Sequence, residues 1–135
     1  RISALLELSF WMEEIQMSDL IEQQELFNKI VLHMRAQNAK SLSDYGLCMY
    51  LAKDGKKCAV GCVIDDGEYS SWMERKGITS IIADERCPQS LYEKLKKHKN
   101  LLLLCQYVHD YTVVVDWEME LTAVSNQYCL SMPSL

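Results

Sequence analysis

From Leu20 to Met34 the apolar residues recur at helical spacing. Leu20, Leu26, Phe27, Ile30, Val31 and Met34 share one side, while Lys29, Arg35 and Gln37 fall toward water. Such a stripe is stable only against other apolar surface, so the rest of the chain has to cover it. Ser18 or Asp19 supplies a cap for this helix, which runs to about Gln37. Upstream, Leu5, Leu8, Trp11, Met12 and Ile15 mark a separate short amphipathic helix over 3–16. Met17-Ser18-Asp19 reads as a natural start, which makes 1–16 an N-terminal extension.

Downstream the pattern shortens. Asn38 to Gly46 is polar and reads as a loop, and Leu47–Leu51 as a short strand. Lys53-Asp54-Gly55-Lys56 carries the Asp-Gly signal of a tight hairpin. Lys57 and Cys58 then begin the return strand, or Cys58–Ile64 starts a short helix directly. Residues 69–76 allow a short helix ended by Gly77, and Ile78, Ile81 and Ile82 anchor a less regular stretch. Pro88 suits the first turn of a helix through about His98. Asn100 caps another through about Asp110, with Leu101, Leu104, Cys105 and Val108 inward. Val113-Val114-Val115 is β-branched and reads as extended. Asp116 caps a last helix carrying Trp117, Leu121, Val124 and Tyr128.

The expected fold class is mainly α (α+β): five or six helices round one core, with a small central β-hairpin. Residues 17–130 form a single globular domain and 131–135 a frayed tail. A chain of 135 residues, 49% apolar and 24% charged, buries a core without help from metal or disulfides. The longest apolar run, Leu101–Cys105, is too short to span a membrane, and no secretory signal is visible.

The six cysteines lie mostly in apolar runs, which favours buried, reduced thiols and a cytoplasmic setting. A second reading takes Cys58 and Cys62, four apart on one helix face, with Cys48 and His109 as a zinc set. The spacing gives one loose pair and no second pair, so that reading stands as an alternative. His109-Asp110, completed by His33 and Asp116, invites a metal-dependent phosphohydrolase; the plainer reading is that they close a helix.

Asp65, Asp66 and Glu68 surround Gly67 without the register of a cation loop, and read as a solvated turn. Lys94, Lys96, Lys97 and Lys99 form a basic run. A net charge of −5 and the lack of interleaved aromatics make nucleic acid an unfavoured partner, kept as an alternative through Lys94, Lys96 and Lys97. Trp72 lies in a polar stretch, so it is folded back onto the core or offered to a partner. The glycine-rich phosphate loops, the serine nucleophile elbow and the paired-histidine zinc helix are all missing from the sequence.

The middle of the chain resembles a group of small phage and prophage proteins. The resemblance is carried by Gly46-Leu47-Cys48-Met49-Tyr50 and by Asp54 through Ile64, whose core reads G-x-K-C-A-x-G-C. Upstream it includes the helix from Leu26-Phe27-Asn28-Lys29 to His33-Met34-Arg35. Downstream it includes Leu104-Cys105-Gln106 to His109-Asp110 and the Trp117 helix. It covers about residues 24–125. Leu51 and Asp65 stand where the group's pattern leads one to expect Arg and Pro. The group has no settled activity, so the resemblance implies an origin and not a mechanism. It implies a phage or mobile-element protein acting in the cytoplasm of a bacterial host. Taken with the small size, the acidic balance and the missing catalytic motifs, the expected function is that of an accessory protein that binds a host or phage macromolecule, a bacterial or phage protein above all, and inhibits a defence system. Trp72, Asp65, Asp66 and Glu68 are the expected contact surface. No cofactor is expected, and a homodimer is compatible with the apolar N-terminal segment.

Overall fold

The computed structural model describes the backbone of residues 2–135 and the side chains of 16–135. The chain is mainly helical. Helix α1 spans Ile2–Gln37, α2 Ile78–Ala83, α3 Gln89–Lys97, α4 Lys99–Tyr111 and α5 Trp117–Gln127, with single 3-10 turns at Gly61–Val63, Ser71–Met73 and Val114–Asp116.

The first difference from the sequence reading is α1 itself. The two expected helices are one helix of 36 residues, about 54 Å long at 1.5 Å per residue. Ser18 and Asp19 sit inside it, and Asp19 instead reaches Lys97 of α3 at 2.7 Å. The face formed by Leu5, Leu8, Trp11, Met12 and Ile15 lies outside the described side chains. Phe27, Ile30, Val31 and Met34 are buried as their spacing requires, but Leu20 is 56% exposed. The stripe enters the core only from Leu26, which packs against it half-buried. α1 ends at Asn38, whose left-handed backbone (φ 48°) returns its amide to the Met34 carbonyl.

The central hairpin is not present as a two-stranded element. Its turn forms: Gly55 takes φ +87°, its amide reaches the Ala52 carbonyl, and the Asp54 carboxylate accepts from the Lys56 amide. The flanks make only the isolated antiparallel bridges Leu51–Lys57 and, further back, Leu42–Cys48. Their remaining backbone groups are taken by side chains. Gln37 accepts from the Lys57 amide at 2.9 Å, and Glu74 accepts from the amides of Tyr50 (2.9 Å) and Leu51 (3.1 Å).

Three further expectations change. Residues 69–76 make a single 3-10 turn and not a helix, while the Ile78 stretch is helical. Val114–Asp116 closes into a 3-10 turn and is not extended. Around these, Leu91 and Leu95 of α3, Leu101, Leu102, Cys105 and Val108 of α4, and Trp117, Leu121 and Val124 of α5 meet the α1 stripe in one core. α3 and α4 are separated only by His98, whose amide ends one helix and whose carbonyl starts the next. The last residues run back along α1: Gln24 bonds the Ser131 amide and carbonyl, and Arg35 donates to the carbonyls of Pro133 and Ser134. Among the described residues no helix is long and apolar enough to cross a membrane.

Candidate functional site

The residues of the G-x-K-C-A-x-G-C stretch are built for packing. A Cβ placed on Gly61 would lie 2.0 Å from the Tyr50 carbonyl oxygen, so only glycine allows the two backbones to meet. Cys58, Ala59, Val60, Cys62, Val63 and Ile64 are all buried. The Cys58 sulfur accepts from the Gly61 amide at 3.3 Å, and the Cys62 thiol donates to the Ala59 carbonyl at 3.0 Å. Each thiol is thus hydrogen-bonded within its own turn. Burial pushes the Cys58 thiol far up and raises those of Cys62 and Cys105 to about 12.

A different set of polar residues is brought together. The ligand-type atoms of Cys48, His109 and Asp110 lie within 4.8 Å of one another. α4 presents His109 and Asp110 side by side, and the loop after α1 supplies Cys48. His109 is fully buried and stacks on Trp117 at 5.4 Å between ring centroids. The Ser41 amide donates to His109 Nε2 at 3.2 Å. That leaves the ring proton on Nδ1, where it is donated to Asp110 Oδ1 at 2.8 Å. Gln106 donates to the same carboxylate at 2.7 Å. Burial works to raise the Asp110 carboxyl, and the hydrogen bonds from His109, Cys48 and Gln106 outweigh it, so it stays below the usual range.

This arrangement does not activate Cys48. Burial first, and then the Asp110 carboxylate beside it, pushes the thiol up to about 11. A nucleophilic thiol needs the opposite shift. Nor is His109 offered to a metal in this arrangement. For Nδ1 to coordinate, its proton would have to leave or move to Nε2, where it would face the Ser41 N–H. Of the sequence-nominated set, the structure joins Cys48 and His109, with Asp110 in the place given to Cys58 and Cys62. His33 bonds the Lys57 carbonyl at 2.8 Å, and Asp116 precedes α5; neither joins His109 and Asp110.

The other nominated residues are distributed as follows. Asp65 and Asp66 are exposed, but Glu68 is buried, bonded to Ser90 Oγ at 2.6 Å, the Asp65 amide at 2.9 Å and Lys94 at 3.2 Å. Trp72 is half-buried under two cations, Arg86 at 4.5 Å and Lys76 at 5.4 Å from its ring centre. The lysines of α3 are engaged internally: Lys94 with the Val63 carbonyl and Glu68, Lys97 with Asp19 and Glu22, Lys96 with the Tyr92 hydroxyl.

Sequence reasoning missed the outward side of α4. Leu103, Tyr107 and Tyr111, spaced by four, are 40%, 60% and 75% exposed, and the two tyrosine rings lie 4.9 Å apart. The spacing was readable in the sequence; that these residues lie away from the core was not, because the same helix carries apolar residues on both sides. Leu103 and Tyr111 border a cleft of about 360 Å³ that also reaches Cys48, Cys58 and Asp110. Comparison with protein-family models, with curated proteins and with solved structures returned no match to this chain.

Proposed function

We propose that this chain is a phage-type accessory protein that acts by binding a bacterial or phage protein in the cytoplasm of a bacterial host, where it inhibits a defence system. The observation that supports a binding role is the exposed row Leu103, Tyr107 and Tyr111 beside the cleft. Tyrosines held on a rigid helix bury large area at little conformational cost, which is what protein interfaces use as anchors. The phage origin rests on the resemblance around Gly55–Cys62. The polar cluster at His109 supports the same reading from the other side, since its donors and acceptors are spent on one another.

The experiment is cross-linked capture from lysates of phage-infected bacteria, comparing the native chain with a Tyr107→Ala/Tyr111→Ala double variant. One bacterial or phage protein held by the native chain and lost to the double variant is the expected result. A captured set that the double variant leaves unchanged overturns the reading. Both tyrosines are exposed, so the folded state is expected to survive the change.

A second reading, a metal-holding module, has the proximity of Cys48, His109 and Asp110 in its favour. It requires tight, stoichiometric zinc uptake with release of the thiol proton and faster exchange of the Ser41 amide. Zinc binding unchanged by Cys48→Ser would sink it.

A further inference from the structure

The cleft at α4 does not stop at Tyr111. A second cavity of about 190 Å³ lies beside it, under Leu42 and Tyr45, and the two share Met49 and Arg75 as wall residues. They therefore adjoin as one groove with Arg75 where they meet, and each end mixes apolar side chains with charged ones: Ile78 and Leu103 with Lys76 and Asp110 at one end, Leu42 and Tyr45 with Asp44 and Lys53 at the other. Leu42 (41% exposed) and Tyr45 (86%) flank one end, and Leu103 and Tyr111 flank the other.

The charges along this groove are nearly all matched. Asp110 is held by His109 and Gln106, Asp44 pairs with Lys53 at 3.3 Å, and Lys76 lies 3.6 Å from Asp84. Arg75 is the exception: it makes no ion pair or side-chain hydrogen bond with any described residue. Its backbone is left-handed at φ 64°, a conformation that disfavours every residue with a Cβ. An exposed, unpaired guanidinium between two cavities whose own charges are already matched, and which each present apolar side chains, is complementary to a carboxylate carried between apolar side chains.

We infer that the groove takes an extended segment of a partner protein in which an Asp or Glu stands between apolar residues. The carboxylate pairs with Arg75 and the apolar side chains enter the two pockets. This rests on the binding-module reading and names the chemistry of the partner.

The test pans a random-peptide display library on the full chain and measures an enriched synthetic peptide by fluorescence anisotropy. Enriched sequences are expected to carry an acid between apolar residues. Arg75→Glu should weaken that peptide about tenfold or more, the size of one lost charge-assisted pair. A peptide with Lys in place of the acid should regain binding to Arg75→Glu. Arg75→Gly separates recognition from folding: glycine suits the left-handed backbone, so stability should hold or rise while binding is lost. Four results each overturn the inference: no enrichment, enrichment without an acid, binding indifferent to Arg75→Gly, or occupation of the groove by a second copy or an oligonucleotide. If the protein captured from lysate is lost to the tyrosine double variant but kept by Arg75→Gly, the binding role stands and the Arg75 chemistry fails.

Discussion

At the scale of single residues, the least replaceable position is Gly61. Its backbone runs against Tyr50 with no room for a methyl group. Gly61→Ala should cost about 3 kcal/mol or more, within the range of severe overpacking, read as a fall in the urea midpoint. A variant with the native midpoint would show that Tyr50 moves aside freely. Asp110 tests the buried polar cluster. Its carboxyl titrates lower in the folded state than in the unfolded chain, so the stability it contributes is complete above about pH 4 and is lost as pH falls through the folded value. Asp110→Asn should therefore cost about 2 kcal/mol at pH 7 and flatten the acid side of the stability curve. An unchanged acid limb would place the acid sensitivity in other carboxylates. His109-Asp110 was legible as a pair closing a helix. The part played by Cys48 and Ser41 was not, since a loop more than sixty residues away has to arrive there first.

At the scale of elements, periodicity served long segments and failed short ones. α3, α4, α5 and the inner half of α1 follow their apolar spacing because burial of one face decides them. Helix α2 has six residues, under two turns, too few for the period to register. The Asp54-Gly55 turn was read correctly at the turn itself. Its strands did not follow, because Gln37 and Glu74 supply the backbone partners that a second strand would have supplied. Ser18-Asp19 resembled a cap in composition alone; inside a continuing helix Asp19 serves as an ion-pair partner of Lys97. The return of the tail along α1 gives an element-scale prediction. Arg35 pairs with Glu118 of α5 and holds two tail carbonyls. Arg35→Ala should cost about 1 kcal/mol and speed hydrogen exchange of the Ser131 amide, whose bond to Gln24 needs the tail to lie along α1. Exchange there as slow as in the native chain would mean that Gln24 alone secures the tail.

At the scale of the whole molecule, the charge pattern limits what the surface attracts. The basic run on α3 is answered by Asp19, Glu22 and Glu68, in a chain of net charge −5. No shift of a DNA or RNA duplex is expected at about 0.15 M salt. A salt-dependent shift abolished by reversing Lys94, Lys96 and Lys97 would contradict this. The mainly helical class and the position of the core were legible, because both follow from how often and where apolar residues recur. The outward face of α4, proposed above as the contact surface, was not, because exposure depends on which of two apolar sides of α4 the rest of the chain covers.

Six thiols share this molecule, and their unequal burial decides how it behaves on the bench. Cys58, Cys62 and Cys105 are sealed in the core, whereas Cys129 stands exposed just after α5. Cys48 and Cys87 are half-buried between these extremes, so Cys129 is the most outward attachment point for a fluorophore. The same sulfur joins two chains whenever air oxidises it. A dimer band on a non-reducing gel reports Cys129 before it reports any biological assembly, so self-association is to be measured in reductant.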